Sequence, residues 1–109
     1  MAKKKLLLDE CVPLKLREHF ADAEAYTVAY MKWDGIKNGK LLTLAIENGF
    51  NVFVTTDKNL SYQQNITQYK IAIVVLDVPI AKMKYLVPLV GKVKELLVSF
   101  EPGKVYEIR

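Results

Sequence analysis

Three apolar runs in the chain end on a carboxylate: KKKLLLDE at Asp9 and Glu10, NVFVTTD at Asp57, and KIAIVVLD at Asp77. One such ending is ordinary turn chemistry. Three of them gather acids at a shared edge if the runs are strands of one sheet. Carboxylates held close together repel, so one takes up a proton or a cation keeps them ionised. Mg²⁺ and Mn²⁺ suit such all-oxygen sites, using one or two carboxylates and several waters. A divalent ion there activates water and clamps a phosphate diester, which is nuclease chemistry. Other chemistries lack their parts. Cys11 and His19 are the only residues of their types, so no Cys/His spacing suits zinc. There is no nucleophile elbow for a Ser–His–Asp arrangement and no glycine-rich phosphate loop.

The elements that must position these acids follow from the pattern of apolar residues. Lys5 to Leu8 read as a short buried strand, and Pro13 suits the first turn of a helix carrying PLKLREHFA, with Leu16 and Phe20 on one face. AYTVAYM (25–31) is β-branched and aromatic and predicts a second strand, followed by the turn-rich KWDGIKNG. Asn38 is placed to cap GKLLTLAIEN, with Leu41, Leu42, Ala45 and Ile46 as its buried stripe and Gly49 closing it. NVFVTT and IAIVVL (71–76) are two further strands. A helix from about residue 85, with Pro88 in its first turn, leads to a short edge strand, KVYEI. Strands of continuous apolar character separated by helices indicate a parallel sheet covered on both faces, so the fold class is α/β. In such a sheet the carboxyl ends share one edge, and ligands bind there.

Length and composition bound the rest. The chain has 109 residues and is 51% hydrophobic and 26% charged, enough for one domain (1–109) with a real core. No apolar run approaches the ~20 residues of a membrane helix. MAKKKLLLDEC has a basic start, but only three leucines precede Asp9, which argues against a secretory signal. A lone cysteine fits a reducing cytoplasm and reads as a small buried apolar residue. Net charge is +4, from 16 basic and 12 acidic residues, a mild bias compatible with a polyanionic partner.

LLLDECVPLKL and GIKNGKLLTLAIENGFNVFVTTDKNL together resemble the short PIN-like domains (PilT amino-terminal, ribonuclease-like), many of which are toxins encoded beside an antitoxin. The similarity runs from about Lys5 to Leu60. It implies a three-layer α/β/α sandwich with a mostly parallel central sheet, and a Mg²⁺- or Mn²⁺-dependent ribonuclease site at the strand ends. Carried over by position, Asp9 and Glu10 match the family's first acidic pair, and Asp57 matches the first aspartate of its later T-x-D-x-D-F motif. Asn38 stands where the family commonly has a helix-opening aspartate. Asn59 stands for the second aspartate of the later motif, Leu60 for its aromatic residue, and Cys11 for the usual asparagine. Two Asp-to-Asn departures remove two negative charges from the metal site that the family implies.

The resulting expectation is a metal-dependent endoribonuclease acting on RNA in the cytoplasm. Asp9 and Asp57 would hold Mg²⁺ or Mn²⁺, with Glu10, Asn38 and Asn59 positioning its waters. Lys37, Lys40 and Lys58 flank the site and are candidates for phosphate contacts. The polar stretch SYQQNITQY supplies Gln63, Gln64 and Asn65 to meet bases and Tyr62 to stack on one. Each of these also has an ordinary explanation, as a solvated lysine or part of a surface loop. The resemblance and the aromatic segment AYMKW point to a homodimer, and an antitoxin protein is a further partner. An alternative is a module that has lost catalysis and binds RNA or a protein through the same edge. A phospho-acceptor domain of receiver type also gathers acids at strand ends. Such a domain needs a lysine after a further strand, where this chain has Asp77. Asp77 otherwise reads as a turn residue before Val78 and Pro79, and Asp34 as another.

Overall fold

Side chains at successive strand positions point to opposite faces, so a strand apolar at every position needs cover on both. Ala72–Leu76 (β4) has this character throughout, and Lys5–Leu8 (β1) and Val52–Thr55 (β3) have it apart from Lys5 and Thr55; nearly all of these residues are buried. The computed structural model describes residues 4–21, 23–36, 38–58 and 68–109. Among them, Glu24–Thr27 (β2) and Val105–Ile108 (β5) complete a five-stranded sheet in the order β2-β1-β3-β4-β5, every pair parallel. This is a compact α/β fold.

Two apolar clusters divide the alternate strand residues between them. Leu6, Leu8, Val54, Val74 and Leu76 cluster with Leu16 and Phe20 around a short 3-10 helix (Leu14–His19) and with Leu86 and Val93 of the long helix α2 (Met83–Val98). Leu7, Phe53, Ile73 and Val75 cluster with Leu41, Leu42 and Ala45 of α1 (Asn38–Glu47). A slip of one residue in any strand would exchange these sets, so burial on both sides fixes the register.

The elements depart from the sequence reading in three places. The first helix is a 3-10 segment with Pro13 outside it, in extended conformation at its cap. Leu16 N–H bonds the Pro13 carbonyl and Phe20 N–H the Arg17 carbonyl, which buries Leu16 and Phe20 over only six residues. The second strand stops at Thr27 rather than continuing to Met31. The Thr27 hydroxyl and carbonyl accept the N–H groups of Tyr30 and Met31, and Lys32 takes a positive φ, so the chain curls away. Helix α2 begins at Met83, which makes Pro88 its sixth residue and not part of its first turn. An interior proline removes the donor to the carbonyl four residues earlier, here that of Lys84. Pro88 is exposed, so water can satisfy that carbonyl.

Helix α1 lies where the sequence predicts, but Asn38, expected as the cap before it, is its first residue, and Ile46 of the expected buried stripe is half-buried beside the buried Leu41, Leu42 and Ala45. Gly49, with φ +83°, follows its end. Phe50 N–H bonds back to the Ala45 carbonyl at 2.9 Å, closing the last turn before β3 begins. No described helix is long and apolar enough to cross a membrane.

Candidate active site at the carboxyl edge of the sheet

Strand order 2-1-3-4-5 reverses direction between β1 and β3, and a crevice forms outside the carboxyl ends of such neighbours. Asp9 and Asp57 lie on either side of that point. Asp9 N–H still bonds the Val54 carbonyl at 2.9 Å, so the residue is held by the sheet ladder as the chain leaves it. Its carboxylate accepts the Thr55 hydroxyl at 2.7 Å on Oδ2 and the Glu10 N–H at 2.8 Å on Oδ1.

Thr55, the last residue of β3, is fully buried, and its hydroxyl joins the two acidic loops. A hydroxyl has one proton to give and lone pairs to accept with. Thr55 gives its proton to Asp9 and accepts the Asp57 N–H at 3.0 Å. Cys11 completes the arrangement. Its sulfur accepts the Thr56 N–H at 3.4 Å and lies 3.5 Å from the Thr55 hydroxyl and 3.7 Å from Asp9 Oδ2. The thiol is exposed, not the buried apolar residue expected from sequence. The polar groups at the strand ends draw it out of the core. Glu10 reaches elsewhere and accepts the Gly35 N–H at 2.8 Å, which ties β1 to the turn leading into α1.

Asp77, past the end of β4, has different company. Lys58 Nζ lies 2.6 Å from one of its oxygens and Arg109 Nε 3.2 Å from the other. The hydrogen bond from Lys58 holds the Asp77 carboxyl below its ordinary value against the opposing cost of desolvation, and the charges of Lys58 and Arg109 add smaller contributions in the same direction. Asp77 is thus a salt-bridged turn residue. The receiver-type reading wants a lysine past a later strand. The cation past β5 is Arg109, and it is tied to Asp77.

The structure therefore brings Asp9, Glu10 and Asp57 to neighbouring strand ends. Lys58 follows Asp57 directly and is engaged with Asp77, and Lys40 is exposed on the first turn of α1. Asp34 lies exposed in the turn before α1. Lys37, Asn59, Tyr62, Gln63, Gln64 and Asn65 fall outside the described residues, as does the side chain of Asn38. Among the described residues, no three His, Cys, Asp or Glu side chains are placed to hold a metal ion together.

Two participants escaped the sequence reading. Thr55 left a signal, a threonine in a strand otherwise wholly apolar. Arg109 left none, because only the pairing of Leu76 with Ile108 sets the residue after β5 beside the residue after β4. Comparison with protein-family models, with curated proteins and with solved structures gives no match.

Proposed function

We propose that the protein is a metal-dependent endoribonuclease of PIN-like type, built as a three-layer α/β/α sandwich. One observation carries the reading. At the β1/β3 switch point, Asp9 and the Asp57 loop are joined through a single buried hydroxyl, that of Thr55. The donor set fits the ion. Mg²⁺ keeps most of its water and needs only one or two carboxylates, and Asp9 Oδ1, with one hydrogen bond, retains a lone pair for it. Asp9 and Asp57 would hold Mg²⁺ or Mn²⁺, with Glu10, Asn38 and Asn59 around it. The ion supplies charge for the phosphate diester and acidifies water.

The chain's own residues do the positioning. Thr55 fixes the rotamer of Asp9, and Glu10 holds the turn before α1, which carries Lys40 toward RNA phosphates. Lys37, Gln63 and Asn65 are the other proposed RNA contacts. The substrate class is RNA in the cytoplasm, and an antitoxin would act by covering this edge.

A second reading is favoured by a separate observation: Asp9 Oδ2 already receives the Thr55 hydroxyl and lies near the Cys11 thiol. In that reading the edge is a binding module for RNA or a partner protein and has lost its metal. Calorimetric titration of Mn²⁺ into the wild type and Asp9→Asn separates the two. Binding that vanishes with Asp9, together with RNA cleavage that stops on chelation, supports the nuclease. No heat in either protein overturns it.

A further inference from the structure

The amino edge of the sheet, opposite the acids, gathers lysines. Lys4 and Lys5 stand at the start of β1, Lys70 shortly before β4 and Lys104 directly before β5. Two of these are answered within the fold: Lys5 Nζ donates to the Asn48 carbonyl at 2.7 Å, and Lys104 pairs with Glu101. Strand alternation puts Lys4 on the face that carries Leu6 and Leu8, where the last turns of α2 pack. Lys94 reaches the same place from α2.

A cavity of about 220 Å³ opens there, lined by Lys4, Phe20, Ala23, Lys94, Leu97 and Val98. Its apolar walls are uneven: Phe20 and Leu97 are buried, whereas Val98 is 86% exposed and leaves a hydrophobic side chain in water. No acid lines the cavity. The helix offers Lys94 no counter-ion, because the residues three and four away are Gly91, Val90, Leu97 and Val98. Glu24 turns to the other face, where its carboxylate accepts the Tyr26 hydroxyl at 3.4 Å. Lys94 is half-buried, and the Lys4 ammonium lies 5.2 Å from the centre of the Phe100 ring. Among the described residues neither ammonium meets a carboxylate.

We propose that this cavity binds a small organic acid, a monocarboxylate on a compact aromatic body. Charge complementarity sets the head group: two ammonium groups without an acidic partner face a cavity that holds no acid. Size sets the body. An apolar cavity of about 150 Å³ takes benzene, so this one has room for a phenyl ring and a short arm. It falls below the roughly 300–1,000 Å³ that drug-sized ligands occupy, which limits the occupant to a small molecule. The ring lies against Phe20, Leu97 and Val98, and the carboxylate meets Lys4 and Lys94. Helix α2 ends at Val98 with open carbonyls and partial negative charge, which keeps the carboxylate at the lysines and away from the helix end. This site stands at the opposite edge from Asp9 and does not depend on the chemistry proposed there.

The test is an NMR titration of the isotope-labelled full chain with hydrocinnamate, a phenyl ring on a short arm ending in a carboxylate. The amide signals of Ala23, Leu97 and Val98 should shift and saturate, with a dissociation constant on the order of 1 mM for a ligand of about eleven heavy atoms. Phenylpropanol, the same body without the charge, should bind about fivefold more weakly, the loss of two exposed ion pairs. Lys4→Gln and Lys94→Gln should each weaken the acid about twofold and leave the alcohol unchanged. The comparison of acid with alcohol on the wild type decides the matter if either variant does not fold. Shifts that fail to saturate by about 10 mM, ten times that constant, overturn the proposal. So do equal affinities for acid and alcohol, or saturating shifts at Asp9 and Thr55 instead. Shifts of the same amides with protein concentration alone would mean that a second copy fills the cavity, and would also overturn it.

Discussion

Asp9 and Asp77 end neighbouring parts of the same sheet edge, yet they are held by opposite means. Asp77 is met by two cations, Lys58 and Arg109, and its charge is answered within the fold. Asp9 is met by a hydroxyl, a backbone N–H and a nearby thiol, all neutral. Neutral donors orient a carboxylate without cancelling its charge, whereas cations cancel it. The β4/β5 end is therefore closed by ion pairs within the fold, whereas at the β1/β3 end Asp9 is oriented by neutral groups. That difference distinguishes a candidate ligand from a structural acid among residues that look alike in sequence.

The sharpest way to break the comparison is to neutralise each acid in turn. Asp9→Asn and Asp57→Asn should each abolish Mn²⁺-dependent RNA cleavage with the fold intact, while Asp77→Asn should leave cleavage within about threefold of wild type, well below 1.4 kcal/mol in the barrier. Gel assays of RNA cleavage with and without chelator check this. Loss of activity in Asp77→Asn alone would reverse the assignment of the two ends.

Removing the link between the loops should cost stability. Thr55→Val removes the buried hydroxyl that Asp9 accepts and that the Asp57 N–H donates to, for a loss of about 1–3 kcal/mol. Thr55→Ser should recover most of it, and urea unfolding of the three proteins measures both changes. An unchanged midpoint in Thr55→Val would mean that the bridge does not hold the loops.

A smaller effect is expected at the salt-bridged end, and its sign follows from linkage. The Asp77 carboxyl is lowered in the folded state, so its contribution is present above the ordinary carboxylate value and is lost as pH falls through the folded one. Urea midpoints measured from about pH 7 down to about pH 3 should therefore fall more steeply for the wild type than for Asp77→Asn. Parallel curves would show that the ion pairs are not maintained in solution.

The smallest change is at Cys11. Its sulfur makes only weak hydrogen bonds from an exposed position, so Cys11→Ala should shift stability by no more than about 0.5 kcal/mol. Thermal unfolding in reducing buffer suffices to check it. A larger loss would mean that the thiol, and not Thr55 alone, sets the position of Asp9.

Much of this edge is legible before folding is considered. Continuous apolar runs reveal β1, β3 and β4, and the first charged residue after each lies at its carboxyl end, so Asp9, Asp57 and Asp77 follow from local pattern. The length of β2 does not. AYTVAYM has strand propensity throughout, but the Thr27 hydroxyl and carbonyl capture the next turn and end it early. The 3-10 form of Leu14–His19 is likewise decided by where Leu16 and Phe20 must land in the core.

By itself, then, the sequence determines an α/β fold with a parallel sheet and three acids at one edge, because burial on both faces leaves a signature in consecutive residues. It does not determine which acid is neutralised. The Thr55 hydroxyl reaches Asp9 across 46 positions, and Arg109 reaches Asp77 only because β5 lies beside β4. Those partners are chosen by strand order and register, which depend on packing across the whole core and have no counterpart in any short stretch of chain.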